Sequence, residues 1–173
     1  RLDLFEGRGV PLGARAGRWP RQRLEAFEQR ALAAVADRDR LDDGDAQFLR
    51  RIARLTWRYF EVFAGSQENW LIPDNFQEAP GHRVAHRTSP TNMGLALLSS
   101  VAAHDLGYLS GGQLLDRTAR TLDTMEQLER HRGHFYNWYD TTTRKALRPL
   151  YVSTVDSGNL VAHVRVLRSG LLE

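Results

Sequence analysis

The sequence predicts an all-α fold of antiparallel helical hairpins that form part of an α/α toroid. The first observation is a series of amphipathic stripes at helical spacing along the chain. The second is an internal repeat, in which two polar segments that each precede an apolar helix are offset by 64 residues. Aligning them pairs Ser89 with Ser153, Asn92 with Asp156, and Gly94 with Gly158. Hairpins that all begin their inner helices at one end would gather such segments around one cleft.

The composition is typical of a globular domain and excludes several classes of site. The chain has 173 residues, 42% of them hydrophobic and 26% charged, and no cysteine. Disulfides, thiolate metal sites and a cysteine nucleophile are therefore excluded. No apolar run approaches the roughly 18 residues that span a bilayer, so we expect no direct membrane contact from this segment. The net charge is only +3 and is spread along the chain, although 23 of its 24 basic residues are arginine, and no recognition motif is present, so we expect no nucleic-acid partner.

Residues 1–40 are expected to be a linker or connector with a first helix, and residues 41–173 the toroidal part. Residues 1–20 are rich in Gly, Pro and Arg and lack periodicity. A stripe over 21–36 predicts the first helix. A second helix is predicted over 45–64, ended by Gly65, and its stripe consists of Leu49, Ile52, Thr56, Tyr59 and Phe63.

Residues 66–89 show no helical pattern, and a loop of this length in a compact domain is usually functional. Ser89 and Pro90 indicate a helix start, because Ser caps a free backbone N–H and Pro fits the first helical position. The helix that follows, through Leu106, is apolar almost all round and is predicted to be buried. A further helix over 112–132 has the pattern of an outer helix, with an inward stripe of Leu115, Ala119, Leu122 and Met125.

Residues 134–143 are rich in aromatic and β-branched types, which favours extended structure that crosses a cleft. Ser153 and Asp156 then match the spacing of a capping box, with Asp in place of Glu. The next helix is predicted from a stripe of Leu160, Val164, Leu167 and Leu171.

The two long loops hold most of the residues that carry chemistry. Saccharides present apolar C–H faces ringed by hydroxyls, so their sites combine aromatic platforms with side chains that form paired hydrogen bonds. The loops supply aromatic rings at Trp70, Phe76, Tyr136, Trp138 and Tyr139. They supply polar groups at Asp74, Asn75, Gln77, Glu78, Arg87, Asn137, Asp140, Asp156 and Asn159. The alternative is that the rings pin the loops onto the helices and that the polar groups cap helix ends.

The residue pattern alone leaves the catalytic residues unknown. Glycosidic bond chemistry needs two carboxyl groups about 5 to 10 Å apart, one protonated and one ionised. Nothing in the spacing singles out a pair among the four weak candidates, Asp74, Glu78, Asp140 and Asp156. The histidines lack a tight helical ligand pattern, so neither a metal site nor a cofactor is predicted.

Four segments of the chain form a specific set. They read NWLIPDNFQE at 69–78, HRTSPTN at 86–92, RGHFYNWYD at 132–140 and YVSTVDSGNL at 151–160. Together, and in this order, they resemble the glucoamylase-like, cyclising region of cyclic β-1,2-glucan synthases. The resemblance spans roughly residues 45–168.

The resemblance implies a large bacterial inner-membrane enzyme with this segment on the cytoplasmic side. Its glycosyltransferase part elongates a β-1,2-glucan, its (α/α)6 toroid cyclises the chain by transglycosylation, and a phosphorylase-like part trims it. This segment would cover the first hairpins of the toroid, with the catalytic glutamates after Glu173, so the segment alone is expected to be inactive. Its partners are then the β-1,2-glucan chain and the covalently linked domains. The residues expected to line the cleft are Trp70, Asp74, Glu78, Arg87, Trp138, Tyr139, Asp140 and Asp156.

A second hypothesis is a non-catalytic helical scaffold or interaction module. Under it the aromatic loops are structural, and free glucan leaves the loop tryptophans unperturbed. The start at Arg1 without Met and the end at Glu173 without a helix cap are typical of a piece of a larger protein. Both hypotheses therefore predict self-association, because an incomplete toroid leaves an apolar helical face exposed.

Overall fold

The computed structural model describes residues 42–172, and helices dominate this part of the chain. They are Asp43–Phe63 (α1), Pro90–Asp105 (α2), Gly111–Glu126 (α3) and Thr154–Gly170 (α4), with a short 3-10 helix at Ser66–Glu68. Residues from Phe48 onward belong to one compact unit. The prediction of a helical fold is confirmed at this level. The expected connector and first helix, in residues 1–40, lie outside the described residues.

The loops between these helices contain short antiparallel ladders, of which the sequence predicted extended structure only at 134–143. The strands are Phe76–Gln77 (β1), Arg83–Val84 (β2), Arg87–Thr88 (β3), Arg130–His131 (β4), His134–Phe135 (β5) and Tyr139–Asp140 (β6). They pair as β1–β2, β3–β6 and β4–β5. The β3–β6 ladder aligns Arg87 with Asp140 and Thr88 with Tyr139. It therefore joins the loop before α2 to the loop before α4, and holds the two decorated loops together.

Helices α2 and α4 pack against each other and run in the same direction. A Cβ added at Gly94, near the start of α2, would lie 2.3 Å from Nδ1 of His163, in the middle of α4. Near both ends, a Cβ added at Gly170 would lie 2.9 Å from Cγ1 of Val101. The contacts advance along both helices together, from Thr91 with Asn159 to Val101 with Gly170, so the two helices begin at the same end. This agrees with the arrangement that the internal repeat predicted.

The main hydrophobic core lies between α2, α3, α4 and the loops that connect them. Its buried members are Leu71, Met93, Leu97, Met125, Leu128, Tyr139, Leu160 and Leu167. A smaller cluster of Ala64, Ile72 and Ala96 connects the end of α1 to α2, and the rings of Tyr59, Phe60 and Phe63 pack against it. Helix α2 contributes to both clusters, which explains why its sequence is apolar almost all round.

Helix α3 differs from its predicted pattern in its ends and in its buried face. A capping box formed by Ser110 and Gln113 sets its start, and it ends at Glu126 rather than at 132. Leu115, predicted to face inward, is 60% exposed. The face that is buried instead carries Leu114, Thr118, Thr121, Thr124 and Met125.

Two of the three threonines on the buried face of α3 find acceptors in the loop before α2, whereas the Thr118 hydroxyl has no partner within residues 42–172. The Thr121 hydroxyl donates to the carbonyl of Trp70 at 3.0 Å, and the Thr124 hydroxyl donates to the carbonyl of Asn69 at 2.8 Å. A hydroxyl that finds a partner is buried at little cost. The prediction relied on a stripe of apolar residues and therefore did not identify this face as the buried one.

The predicted stripes of α1 and α4 are only partly buried. In α1, Leu49 and Ile52 are 48% and 44% exposed, whereas Trp57 is 3% exposed. In α4, Leu160 is buried, but Val164 is 39% exposed. The described elements thus cover only part of the apolar surface of each helix.

Candidate functional site

The starts of α2 and α4 lie side by side, and each has the predicted N-cap. Ser89 and Ser153 each accept a hydrogen bond from the backbone N–H three residues on, at 3.3 and 3.1 Å. The Asn159 side-chain amide of α4 donates to the Thr91 hydroxyl of α2 at 3.1 Å. Both helices thus direct their N-terminal ends toward one edge of the molecule, where the positive end of the helix dipole favours anionic or electron-rich groups.

Arg87 connects a loop carboxylate to a tryptophan ring at this edge. Its Nε and Nη2 donate to Oδ2 of Asp74 at 3.2 and 2.9 Å. The guanidinium carbon lies 4.7 Å from the centroid of the Trp138 ring, a cation–π distance. The other oxygen of Asp74 accepts from the Asn92 side chain at 3.2 Å. The ion pair and the stack together fix the position of the Arg87 head group.

Asp156 is tied to the same tryptophan through Asn137, which is buried. The Asn137 amide is oriented so that both its oxygen and its nitrogen have hydrogen-bond partners. The oxygen accepts from the indole N–H of Trp138 and from the Tyr151 hydroxyl, each at 2.8 Å. Its nitrogen donates to Oδ2 of Asp156 at 3.0 Å. One network therefore joins both loops to both helix starts. We call its six members the rim cluster: Asp74, Arg87, Asn92, Asn137, Trp138 and Asp156.

The Asp156 carboxylate is held in its ionised form. Burial raises the pKa of this carboxyl, but hydrogen bonds from the hydroxyls of Ser153, Thr91 and Ser89 and from the Thr91 backbone outweigh burial. The pKa of Asp156 therefore lies below its ordinary value of 3.8. At neutral pH Asp156 accepts hydrogen bonds and has no proton to give.

Glu68 is a site residue that sequence reasoning did not single out. Its side chain is buried, one oxygen lies 2.8 Å from Nδ1 of His86, and the other accepts from the Thr141 hydroxyl. The neighbouring Asn69 amide donates to the carbonyls of Thr141 and Thr142 at 2.8 and 2.9 Å. These bonds clamp the two loops together. No local motif marks Glu68, and the only available signal was its place beside the segment at 69–78.

Asp140, a predicted site residue, organises a turn. One of its oxygens accepts from the backbone and hydroxyl of Thr142 at 2.9 and 2.7 Å and from the backbone of Thr143 at 2.7 Å. Burial raises the pKa of this carboxyl, but these hydrogen bonds outweigh burial and hold it below 3.8. The Asp140 side chain is thus committed to shaping the loop next to the rim cluster.

Tyr139 was predicted to line the cleft, but its side chain has no exposed surface. Its hydroxyl donates to the carbonyl of Glu129 at 2.6 Å and accepts from the N–H of Tyr136 at 2.7 Å. Burial raises the pKa of Tyr139 to about 12. Tyr139 is a core residue that anchors the loop, and it offers no surface to a ligand in this structure.

The structure does not bring Trp70 or Glu78 into the rim cluster. The Trp70 ring lies against α3, with the guanidinium carbons of Arg117 and Arg120 at 5.8 and 5.0 Å from its centroid. Glu78 is exposed just after β1, and no hydrogen bond to its side chain is present within residues 42–172. The eight predicted cleft residues therefore separate into the four that the rim cluster contains and four that lie elsewhere.

The part of the chain that the structure describes contains neither a metal-binding cluster nor a membrane-spanning helix. Residues 42–172 contain no group of three or more His, Asp or Glu side chains placed to hold a metal ion. None of the described helices is both long enough and apolar enough to cross a membrane.

A known protein matches most of the chain in sequence. The chain is 46% identical over 121 residues to the cyclic β-(1,2)-glucan synthase NdvB of Rhizobium meliloti strain 1021, and the match covers 70% of the chain. The chain therefore belongs to the cyclic β-1,2-glucan synthase family, which confirms the predicted resemblance. The match covers only 4% of that synthase, so the chain corresponds to one small region of a much longer relative. No protein-family model matches the chain.

A solved structure supports the fold independently. A glucoamylase-like protein of Bacteroides fragilis NCTC 9343 superposes with a TM-score of 0.58, over 77% of this chain and 36% of its own length. Its sequence identity to the chain is 17%, so the comparison bears on the fold alone. The region related to the glucan synthase thus has the helical architecture of a glucoamylase-like protein.

Proposed function

We propose that the chain is the first part of an (α/α)6 toroid in a cyclic β-1,2-glucan synthase, and that the rim cluster binds the glucan chain. In the intact protein this region would lie on the cytoplasmic side of a bacterial inner membrane and present the glucan for cyclisation by transglycosylation. The parallel packing of α2 and α4, with both starts at one edge, supports the toroidal arrangement. The match to the synthase supports the substrate.

The observation that carries the proposal is the setting of Trp138. Arg87 stacks on its ring at 4.7 Å, and the amide of Asn137 holds its indole N–H at 2.8 Å. An aromatic ring held in this way is a preorganised platform for the C–H face of a glucosyl unit. The neighbouring carboxylates and guanidinium are suited to bonding paired sugar hydroxyls.

The rim cluster is better suited to binding than to bond cleavage. Glycoside transfer needs a carboxyl group with a raised pKa to act as an acid. In Asp156, and in Asp140 next to the cluster, the pKa is lowered instead, and Asp74 is engaged by Arg87 and Asn92 through both oxygens. We therefore expect this chain alone to bind glucan without rearranging it.

The test is calorimetric titration of the chain with linear β-1,2-glucan, with β-1,3- and β-1,4-glucan as comparisons. We expect selective binding of the β-1,2-linked chain and no new products in the same samples. Trp138→Ala should weaken binding by about tenfold, equivalent to about 1.4 kcal/mol, because the platform is removed.

Arg130→Ala is the matched control for Arg87→Ala. Arg130 also stacks on an aromatic ring, at 4.3 Å from the Phe135 centroid, but it lies outside the rim cluster. Arg87→Ala should weaken binding and Arg130→Ala should not. Equal affinity of wild type and Trp138→Ala for β-1,2-glucan would refute the proposal and favour the scaffold hypothesis.

A further inference from the structure

A second aromatic surface lies away from the rim cluster, between α1 and α3. It is a groove of about 280 Å³, which we call the Trp70 groove. Its lining combines three aromatic rings with charged side chains: Trp57, Trp70, Tyr108, Glu61, Asp116 and Arg117. None of these residues belongs to the rim cluster.

Arg117 fixes the aromatic walls of this groove. Its Nη2 donates to the carbonyls of Phe60 and Ala64, each at 3.0 Å, at the C-terminal end of α1. The same guanidinium lies 5.3 Å from the Trp57 ring centroid and 5.8 Å from that of Trp70. The rings are therefore held in place before any ligand arrives, which lowers the entropic cost of binding.

Trp57 contributes a donor that lacks a partner. The residue is only 3% exposed, and its indole Nε1 has no acceptor within residues 42–172. A buried N–H without an acceptor costs about 1 to 3 kcal/mol. That nitrogen is itself buried, so Trp57 forms a fixed wall of the groove, and the surface open to a ligand is that of the half-buried rings of Trp70 and Tyr108.

The charges around the groove are balanced, which indicates the class of ligand. Glu61 is paired with Arg54 at 3.0 Å, and Asp116 with Arg120 at 2.8 Å. Arg117 already donates to carbonyls at the C-terminal end of α1, where the helix dipole is negative, so an anion or a cation would have to compete with existing partners. An uncharged ligand with apolar faces and many hydroxyls leaves these ion pairs in place. It stacks on the aromatic rings and forms hydrogen bonds with the exposed atoms of the ion-paired side chains.

We propose that the Trp70 groove is a second carbohydrate site, which binds a short, uncharged saccharide. Its volume is slightly below the roughly 300 Å³ at which ligand pockets commonly begin, so it suits one or two sugar units rather than a long chain. The site goes beyond the proposed role of the rim cluster, because it can hold a saccharide whether or not the rim cluster does.

The four tryptophans of the chain allow the two sites to be observed separately. Each indole N–H gives one signal in a 15N-correlated NMR spectrum. Trp57 and Trp70 report the groove, and Trp138 reports the rim cluster. The probe is the β-1,2-linked trisaccharide of glucose, with glycerol as a hydroxyl-bearing control that has no ring to stack.

We expect the Trp57 and Trp70 signals to move together along one saturation curve with the trisaccharide and to stay in place with glycerol. Trp138→Phe should leave this curve unchanged. Trp70→Ala should raise the Kd at the Trp57 signal at least tenfold.

Glu61→Gln provides a second variant that keeps the fold, because the Glu61 side chain is exposed and paired only with Arg54. It should raise the Kd at Trp57 about threefold, since it disturbs the edge of the groove without removing a ring. If only the Trp138 signal moves, the groove proposal is overturned and the rim proposal stands. If only the Trp57 and Trp70 signals move, the groove proposal stands and the rim proposal is overturned. An unmoved Trp57 signal up to about 20 mM trisaccharide, above the millimolar range of weak binding, would also overturn the groove proposal.

Discussion

At the scale of single residues, identical carboxylates have different roles because their neighbours differ. Asp74 uses both oxygens to hold Arg87 and Asn92. Asp140 has one oxygen surrounded by donors from its own turn. Asp156 lies at a helix start and accepts hydroxyl and amide hydrogen bonds from two helices. The sequence alone made these three aspartates equal candidates for a catalytic role, and only their hydrogen-bond partners in the structure distinguish them.

The lowered pKa of Asp156 predicts a stability difference that depends on pH. A carboxyl whose folded pKa lies below its unfolded value stabilises the fold above the unfolded pKa, and loses this effect as pH falls through the folded pKa. Asp156→Asn should therefore lower the free energy of unfolding by about 1 kcal/mol at pH 7, a value reduced for partial exposure. The difference should disappear well below pH 3.8. Urea unfolding at both pH values measures it.

Asp123→Asn is the control for this measurement, because Asp123 lies exposed on α3. It should change the free energy of unfolding little at either pH. A deficit in Asp156→Asn that persists unchanged in strong acid would contradict the assignment of its effect to the ionised carboxylate.

At the scale of the elements, the internal repeat pairs two glycines that the tertiary structure uses differently. Gly94 lies where α2 meets α4, and an added Cβ would lie 2.3 Å from Nδ1 and 2.8 Å from Cβ of His163. Since the clash includes the Cβ of His163, a change of rotamer does not relieve it. At Gly158, in α4, nothing lies within 4 Å of an added Cβ. The close approach of the two helices therefore depends on one glycine of the pair.

Substitution by alanine at both positions tests this difference directly. Gly94→Ala should lower the free energy of unfolding by about 1 to 3 kcal/mol through overpacking. Gly158→Ala should raise it by about 0.5 to 1 kcal/mol, because alanine favours the helix and meets no obstacle. Thermal or urea unfolding compares the two variants. Similar effects of both substitutions would show that α2 and α4 are packed less closely here than the structure indicates.

At the scale of the whole molecule, apolar side chains remain uncovered on the last helix. Val161 and Val164 lie on one face of α4 and are 62% and 39% exposed. Leu172, just past the helix, is 72% exposed. The glucoamylase-like neighbour is matched over only 36% of its length, so in that protein further structure accompanies the matched part. We infer that in this chain the uncovered face mediates self-association.

Sedimentation velocity over a range of concentrations tests that inference. The wild-type chain should shift from monomer to a larger species as its concentration rises, and a variant with both Val161→Glu and Val164→Glu should remain monomeric. Leu115→Glu is the control, since Leu115 is similarly exposed, at 60%, but lies on α3. A wild-type chain that stays monomeric throughout, or an equal effect of the control, would disprove a role for this face.

Much of the helical framework could be predicted from sequence because its signals are local. The N-cap hydroxyls of Ser89 and Ser153 act over three residues, which is the range of a capping bond. The repeat and the apolar pattern predicted α2, α4 and their shared starting edge. The residue pattern did not predict the buried face of α3, because that face carries Thr121 and Thr124. Their hydroxyls find hydrogen-bond acceptors in a loop that is distant in sequence.

The sequence by itself determined the helical class, the helix starts and the resemblance to the glucan synthase, since these depend on residue order and short-range bonds. Only the tertiary structure decided which loop residues meet. It placed Trp138 in the rim cluster, Trp70 in a separate groove and Tyr139 in the core. It also brought the Asn69 amide to the carbonyl of Thr141, 72 residues away. Such pairings follow from how the loops pack across α2 and α4, because no local rule extends over that distance.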